Sequence, residues 1–359
     1  MEFEVYYYEN YSHAPAYKDN PRYIMAQDDV FEFLTEVAEK EPYSLAVENC
    51  MKKELLEQLI HIGVLREKDG MIGFDAPIFV EADNENLQFL SQKAALKIVD
   101  ALALRIGRLK QLVGELNNEV PDKLNLYHLL CGQIFDGYMF DYLEKEGVVT
   151  TSKLHPSGLD YLIILYEKSM KLEKYSNGLL CSYNRLATDK GVFSSFGDAN
   201  GNRRDFYRYM RLQESGKLSE EQKKICLPDR DVLAEQFERL LEGEGVAQTY
   251  KNIFDYFGYT KDGEPCVPIY DAESRFVVLE MFETILPVVK EPILDALNQI
   301  HSCKELLSNR HEVPTADIAN EMYHLIFGEV NEQLVRRRFV ERPPYREGEG
   351  RYLKCYERA

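Results

Sequence analysis

The chain states one short pattern twice. Glu119-Val120-Pro121 is followed by Tyr127-His128-Leu129-Leu130-Cys131-Gly132, and Glu312-Val313-Pro314 by Tyr323-His324-Leu325-Ile326-Phe327-Gly328. Other pairs keep the same order. Lys68-Asp69-Gly70 matches Lys261-Asp262-Gly263, Pro77-Ile78-Phe79 matches Pro268-Ile269-Tyr270, and Tyr161-Leu162 with Tyr166-Glu167 matches Tyr352-Leu353 with Tyr356-Glu357. Isolated tripeptide matches arise by chance in a chain this long, so collinearity at a near-constant offset is what counts. The expectation is an internal duplication: an N-terminal pseudo-repeat over 1–170, an irregular junction over 171–228, and a C-terminal pseudo-repeat over 229–359.

Composition narrows the class. With 359 residues, 45% of them hydrophobic and 29% charged, the chain is long enough for two or three folded domains. Its seven cysteines are scattered and include no C-x-x-C pair, so neither a zinc site nor a disulfide framework is signalled. The first residues, Met1-Glu2-Phe3-Glu4-Val5, carry no basic stretch leading into an apolar core, and no apolar run approaches a membrane span. A cytoplasmic protein is expected, with no membrane partner, no metal and no cofactor. The net charge of −18 argues against nucleic-acid binding over the whole surface, though not on a local basic face.

Along the chain, Glu4 to Tyr8 reads as an edge strand. Asp28 and Asp29 offer an N-cap for a helix from Val30 to Lys40, and a second amphipathic helix over Met51 to Ile62 ends at Gly63. Short strands then flank the turn Lys68-Asp69-Gly70. A long helix is expected from about Asn86 to Asn117. Leu124 to Tyr142 is helical with Gly132 as the expected break, and strands at Val148 to Thr151 and Tyr161 to Tyr166 flank the turn His155-Pro156-Ser157-Gly158. Turn chemistry marks Ser176-Asn177-Gly178 and Gly197 to Asn202. After Pro228, helices at Val232 to Leu241 and Val246 to Phe257 lead to the turn Lys261-Asp262-Gly263. Pro287 and Pro292 interrupt a helical region over Glu273 to Asn309, and helices at Thr315 to Phe327 and Val330 to Phe339 precede the last strands.

Helix, helix, glycine, strand, turn, strand is an order that resembles the winged-helix superfamily. The resemblance lies in element order and brings no functional residue with it. It implies a mostly α fold with small β-hairpins (α+β), each half built as winged helix, long helix, winged helix, with units at about 28–83, 119–168, 229–271 and 312–359. Winged helices read DNA with a polar second helix and a basic wing, and they also serve as protein-interaction modules.

The four units differ in charge. Residues 1–90 hold 7 Lys/Arg against 19 Asp/Glu, and the second unit exposes Asp136, Asp141, Glu144 and Glu146, so both would repel phosphate. The third offers Gln248, Thr249, Lys251 and Asn252. The fourth adds Asn331, Gln333, Arg336, Arg337, Arg338, Arg342, Arg346 and Arg351. Residues 334–359 hold 8 Lys/Arg against 4 Asp/Glu, a net of +4. The alternative for these arginines is pairing with carboxylates and with a helix C-terminus.

Tyr127 with His128, and Tyr323 with His324, occupy equivalent positions and form a second, weaker candidate as a ligand site, against ordinary helix packing. No G-x-G-x-x-G, P-loop, G-x-S-x-G or H-E-x-x-H motif is present, and Asp198 to Tyr209 does not satisfy a calcium loop. No catalytic residue is assigned. The expected function is a transcription regulator binding double-stranded DNA through its C-terminal units. The alternatives are an interaction module with an acidic docking half, where a protein partner or self-association is expected, and an enzyme or ligand sensor with a site between the repeats.

Overall fold

In the computed structural model, the described residues are 1–9, 20–116, 118, 120–152, 160–170, 181–199, 202–214 and 218–359. The expected turns at His155 to Gly158 and Ser176 to Gly178, Asn200 and Gly201, and Glu119 of the first repeated motif lie outside them.

In chain order the elements are β1 (Phe3–Glu9), α1 (Pro21–Ile24), α2 (Val30–Glu39), β2 (Leu45–Ala46), α3 (Lys53–His61), β3 (Leu65–Lys68), β4 (Met71–Phe74), β5 (Ile78–Phe79), α4 (Asn84–Ala103), α5 (Ile106–Val113) and α6 (Asp122–Leu126). A π-helix (Tyr127–Tyr138) follows, then α7 (Met139–Lys145), β6 (Tyr161–Glu167), β7 (Cys181–Ala187), β8 (Gly191–Asp198), α8 (Phe206–Glu214), α9 (Arg230–Leu241) and α10 (Gln248–Phe257). The rest is β9 (Thr260–Lys261), β10 (Glu264–Pro265), β11 (Ile269–Tyr270), α11 (Ala272–His301), α12 (Leu307–Arg310), α13 (Thr315–Arg336) and β12 (Tyr352–Arg358). The class is mixed α and β with small sheets.

Two compact units form, and neither is a continuous half of the chain. Unit 1 comprises Met1–Lys97, Phe140–Tyr175 and Glu291–Glu329, and unit 2 comprises Ile98–Met139, Ser176–Lys290 and Val330–Ala359. The boundaries between them fall inside α4, α11 and α13 and at the start of α7.

Unit 1 holds two three-stranded sheets, in the orders β1-β6-β5 and β2-β4-β3. Helix α2 buries Val30, Phe33, Leu34, Val37 and Ala38, and α3 buries Leu56 and Leu59, each on the apolar stripe its spacing predicts. Gly63 closes α3 at φ 73°, with its N–H on Ile60 O (3.0 Å) and the Val64 N–H on Leu59 O (2.9 Å). Asp69 and Gly70 follow at φ 53° and 76°, the paired left-handed residues of a tight hairpin turn.

Unit 2 contains the four-stranded sheet β11-β12-β8-β7 and the hairpin β9-β10. Phe193, Phe206, Phe237, Phe254, Phe257, Tyr259 and Tyr356 form its aromatic core. Phe206 stacks on Tyr259 with centroids 4.6 Å apart, and Phe193 meets Tyr356 at 4.8 Å. In a chain without Trp, Tyr and Phe carry this packing.

The main sheets of the two units share a pattern. β5 runs parallel to β6, which is antiparallel to β1; β11 runs parallel to β12, which is antiparallel to β8. Leu165 N–H donates to Pro77 O at 2.9 Å, and Tyr356 N–H to Pro268 O at 3.0 Å. Lys168 N–H meets Glu2 O at 2.8 Å, and Ala359 N–H meets Lys190 O at 3.0 Å. This register places Tyr356 in the position of Leu165, one residue away from the sequence match to Tyr166.

Several local expectations are corrected. Gly132 does not break a helix. Helical residues run from Asp122 through Lys145, and a Cβ on Gly132 would come within 2.7 Å of the Phe196 ring, so close packing explains the glycine. The second expected unit, over 119–168, is therefore no helix–helix–hairpin. Residues 148–151 form no strand, and β6 pairs with β1 and β5. Over 312–359, Thr315 to Arg336 is one helix, and β12 joins β8 and β11, so Arg336 to Arg338 end no separate recognition helix. Pro287 and Pro292 lie within α11 without ending it; each removes a helical N–H donor.

Candidate nucleic-acid interface

The geometry around α10 starts from its amphipathic pattern. Ile253, Phe254 and Phe257 are buried, which leaves Gln248, Thr249 and Asn252 exposed and Lys251 half-buried. Gln248 Nε2 donates to Asn252 Oδ1 at 2.9 Å across one turn. Gly258 ends the helix at φ 64°, and Asp262 and Gly263 turn the hairpin at φ 55° and 82°. Asp255 ties helix to hairpin by accepting from Thr260 Oγ1 and, at 3.2 Å, from Gly263 N–H.

The C-terminal turn lies beside this element. Lys354 is buried, and its ammonium donates to the Phe257 carbonyl at the negative end of α10. Burial first, then the Arg346 charge, lowers its pKa to about 8. The left-handed φ of Gly258 favours glycine there, and a Cβ would stand 2.8 Å from Lys354 Nζ and make that side chain shift. Burial raises the Cys266 thiol, and Lys354, Arg346 and Lys261 all oppose that rise, so three cations lie within electrostatic reach of one sulfur. Arg346 is exposed and rests over Tyr352 at 4.8 Å, while Arg204 lies over Tyr256 at 5.2 Å and pairs with Glu349 at 2.8 Å.

A buried polar lattice lies within electrostatic reach of Lys354. Asp205 accepts from Asn184 Nδ2 (3.0 Å), Ser195 Oγ (3.0 Å) and Arg208 N–H (2.8 Å). Arg203, whose side chain is fully buried, stands 3.6 Å from the same carboxylate and donates to Ser182 Oγ at 2.7 Å. Burial and Arg203 lower the Arg208 pKa to about 10.

The remaining arginines are mostly engaged. Arg336 and Arg342 share Glu332 at 3.2 and 2.7 Å, Arg337 meets Asp100 at 2.6 Å, and Arg351 meets Asp198 at 3.6 Å. Arg338 is exposed, in a left-handed conformation at φ 59°. Asn331 is buried and Gln333 half-buried, so neither stands on an open face. Of the twelve sequence candidates, Gln248, Thr249, Lys251 and Asn252 lie on α10, and Arg346 lies within electrostatic reach of Lys354 and Cys266 at the hairpin end of that helix. Lys354, one of the eight basic residues of 334–359, lies with Arg346, and Lys261 and Arg204 add to them; the hairpin turn was the available signal for Lys261, and none marked Arg204.

The tyrosine–histidine pairs do not meet within either unit. In unit 2, Tyr127 and His128 are fully buried; His128 Nε2 lies 3.3 Å from Ser194 Oγ, and burial lowers its pKa to about 3. In unit 1, His324 stacks on Tyr8 at 4.1 Å and Tyr323 packs on Phe140 at 4.7 Å. Burial lowers the His324 pKa to about 4, partly offset by its bond to Asn320 O. Tyr127, His128 and Tyr323 are packed core, and His324 is half-buried against Tyr8. Among the described residues no group of three or more His, Cys, Asp or Glu could hold a metal, and no helix is long and apolar enough to cross a membrane.

Compared with family models, curated proteins and solved structures, the chain matches none of them.

Proposed function

We propose that this protein is a cytoplasmic DNA-binding regulator whose reading face is the α10 helix with the β9-β10 turn and Arg346. The supporting observation is the assembly in unit 2 of hydrogen-bonding side chains (Gln248, Thr249, Asn252) with cations (Lys251, Lys261, Arg346) around one helix and hairpin. Amides and hydroxyls on a helix reach base edges or phosphates, and lysines and arginine offset phosphate charge.

The same proposal takes residues 28–83 and 229–271 as winged-helix units of a duplicated chain. The helix order and the β2-β4-β3 sheet support it in the first, and α9, α10 and the β9-β10 turn support it in the second. The matching sheet registers and the repeated bonds to Pro77 and Pro268 favour a common origin of the halves. The face on α3 carries Glu54 and Glu57 beside Lys53, so the two copies have diverged in charge.

The test is binding to duplex DNA as a function of salt. The Lys251→Ala/Lys261→Ala/Arg346→Ala variant is expected to bind about tenfold or more weakly, with a log–log salt slope smaller by about 3. Arg336→Ala and Arg342→Ala are expected to change little. Equal binding by the triple variant, or none by the natural chain, overturns the proposal.

A second reading, protein docking, draws on α11, where Phe276 is 73% exposed and Leu279, one turn on, is 41% exposed. Loss of a captured partner on Phe276→Ser, with DNA binding unchanged, would favour it.

A further inference from the structure

The division of the chain into units points to an interaction that neither half can make alone. Unit 1 draws most of its residues from the first half of the chain, yet it includes Glu291–Glu329 from the second. Unit 2 draws most of its residues from the second half, yet it includes Ile98–Met139 from the first. The trade is reciprocal, and each imported block is helical.

Each block is bonded into its host. In unit 1, Tyr8 and Tyr166 both donate to Glu321, at 2.7 and 2.5 Å, so an imported carboxylate joins two strands of the host sheet. Ser308 Oγ receives the Ile78 N–H at 2.9 Å and donates to Ile78 O at 2.6 Å, while Arg66 donates to His311 O at 2.6 Å. In unit 2, Gln133 donates to Glu357 at 3.2 Å, Asp136 receives the Tyr183 N–H at 2.7 Å, and Tyr270 donates to Asn125 at 2.9 Å.

One bond is made in both directions of the trade. Thr150 N–H of the first half donates to Ala316 O of the second at 3.0 Å, within unit 1. Glu341 N–H of the second half donates to Lys123 O of the first at 3.1 Å, within unit 2. The imported blocks also fill the cores. Ile318, Met322, Tyr323 and Ile326 are fully buried in unit 1, as are Leu126, Tyr127, Ile134 and Phe135 in unit 2.

We propose that the two halves of this chain, divided between Met170 and Cys181, are obligate partners in an intrachain exchange, each folding only around the helical block the other supplies. The occupant of each half's open core is thus the complementary half. This rests on the composition of the units and their bonds, and it stands whether or not the protein binds DNA.

The experiment starts from the full chain, with a specific protease site placed between Met170 and Cys181. After cleavage the two fragments are expected to co-elute at the mass of the uncut protein, to separate in denaturant, and to rejoin on dilution. Two separately eluting fragments, each with a cooperative unfolding transition, would overturn the proposal.

Should the inserted site itself prevent folding, native-state hydrogen exchange on the unaltered chain decides. The Leu165 and Ala319 amides, from opposite halves but in one unit, are expected to open with the same denaturant dependence. If Ala319 opens instead with the amides of β12, the proposal fails.

Discussion

Each unit buries carboxylates, and Asp205 and Glu321 are held by different means. Asp205 in unit 2 is 2% exposed and is surrounded by two guanidinium groups, an amide, a hydroxyl and a backbone N–H. Glu321 in unit 1 is 4% exposed, and its bonded partners are the neutral phenols of Tyr8 and Tyr166. Burial accordingly raises the Glu321 pKa, against the two hydrogen bonds that lower it. The lesson is that a common sheet plan does not dictate common polar chemistry. Unit 2 holds Asp205 with cations, whereas unit 1 holds Glu321 with phenols.

The largest expected effect tests that contrast directly. Asp205→Ala strands the Arg203 guanidinium in the interior and is expected to cost about 3–5 kcal/mol in denaturant unfolding. Glu321→Gln keeps an acceptor for a phenol and should cost about 1–2 kcal/mol. Equal losses would dissolve the distinction.

Next comes the repeated tyrosine–histidine helix, which is a π-helix in unit 2 and an α-helix in unit 1. Gly132→Ala pushes a methyl into Phe196 and is expected to destabilise by about 2–3 kcal/mol; a neutral result would mean the ring has room to move.

His128 supplies a pH test. Its folded pKa, near 3, lies below the usual 6.5, so its contribution to stability is fully present above pH 6.5 and is lost as pH falls toward 3. Between pH 7 and 5 the natural protein is expected to lose about 2 kcal/mol more than His128→Asn does. Parallel losses would place the titration elsewhere.

The smallest effect concerns the turn that ends each of these helices. Gly147 at φ 69° and Arg338 at φ 59° are each followed by a residue that makes the matching bond, Val148 N–H to Leu143 O at 2.8 Å and Phe339 N–H to Leu334 O at 2.9 Å. Arg338→Gly relieves a left-handed side chain and is expected to stabilise by about 1 kcal/mol, read as a higher Tm.

Periodicity made the amphipathic helices legible, and Lys-Asp-Gly made the two tight turns legible, because both depend on residues adjacent in sequence. The role of Gly132 is not legible, because a glycine inside a helix looks the same in sequence whether it breaks the helix or admits a ring from a distant strand. The arginines from 336 to 351 were legible as charge but not as engaged charge. Asp100, Asp198 and Glu332 bind four of them, and two of those acids lie more than 100 residues away.

By itself the sequence determined local order: the apolar faces of the amphipathic helices and the two tight Lys-Asp-Gly turns. Only the tertiary structure decided which half supplies the helices of which unit, which cations stay open beside α10, and which histidines are buried. Those outcomes depend on contacts between residues far apart in the chain, and such contacts leave no periodic trace in the sequence of either partner.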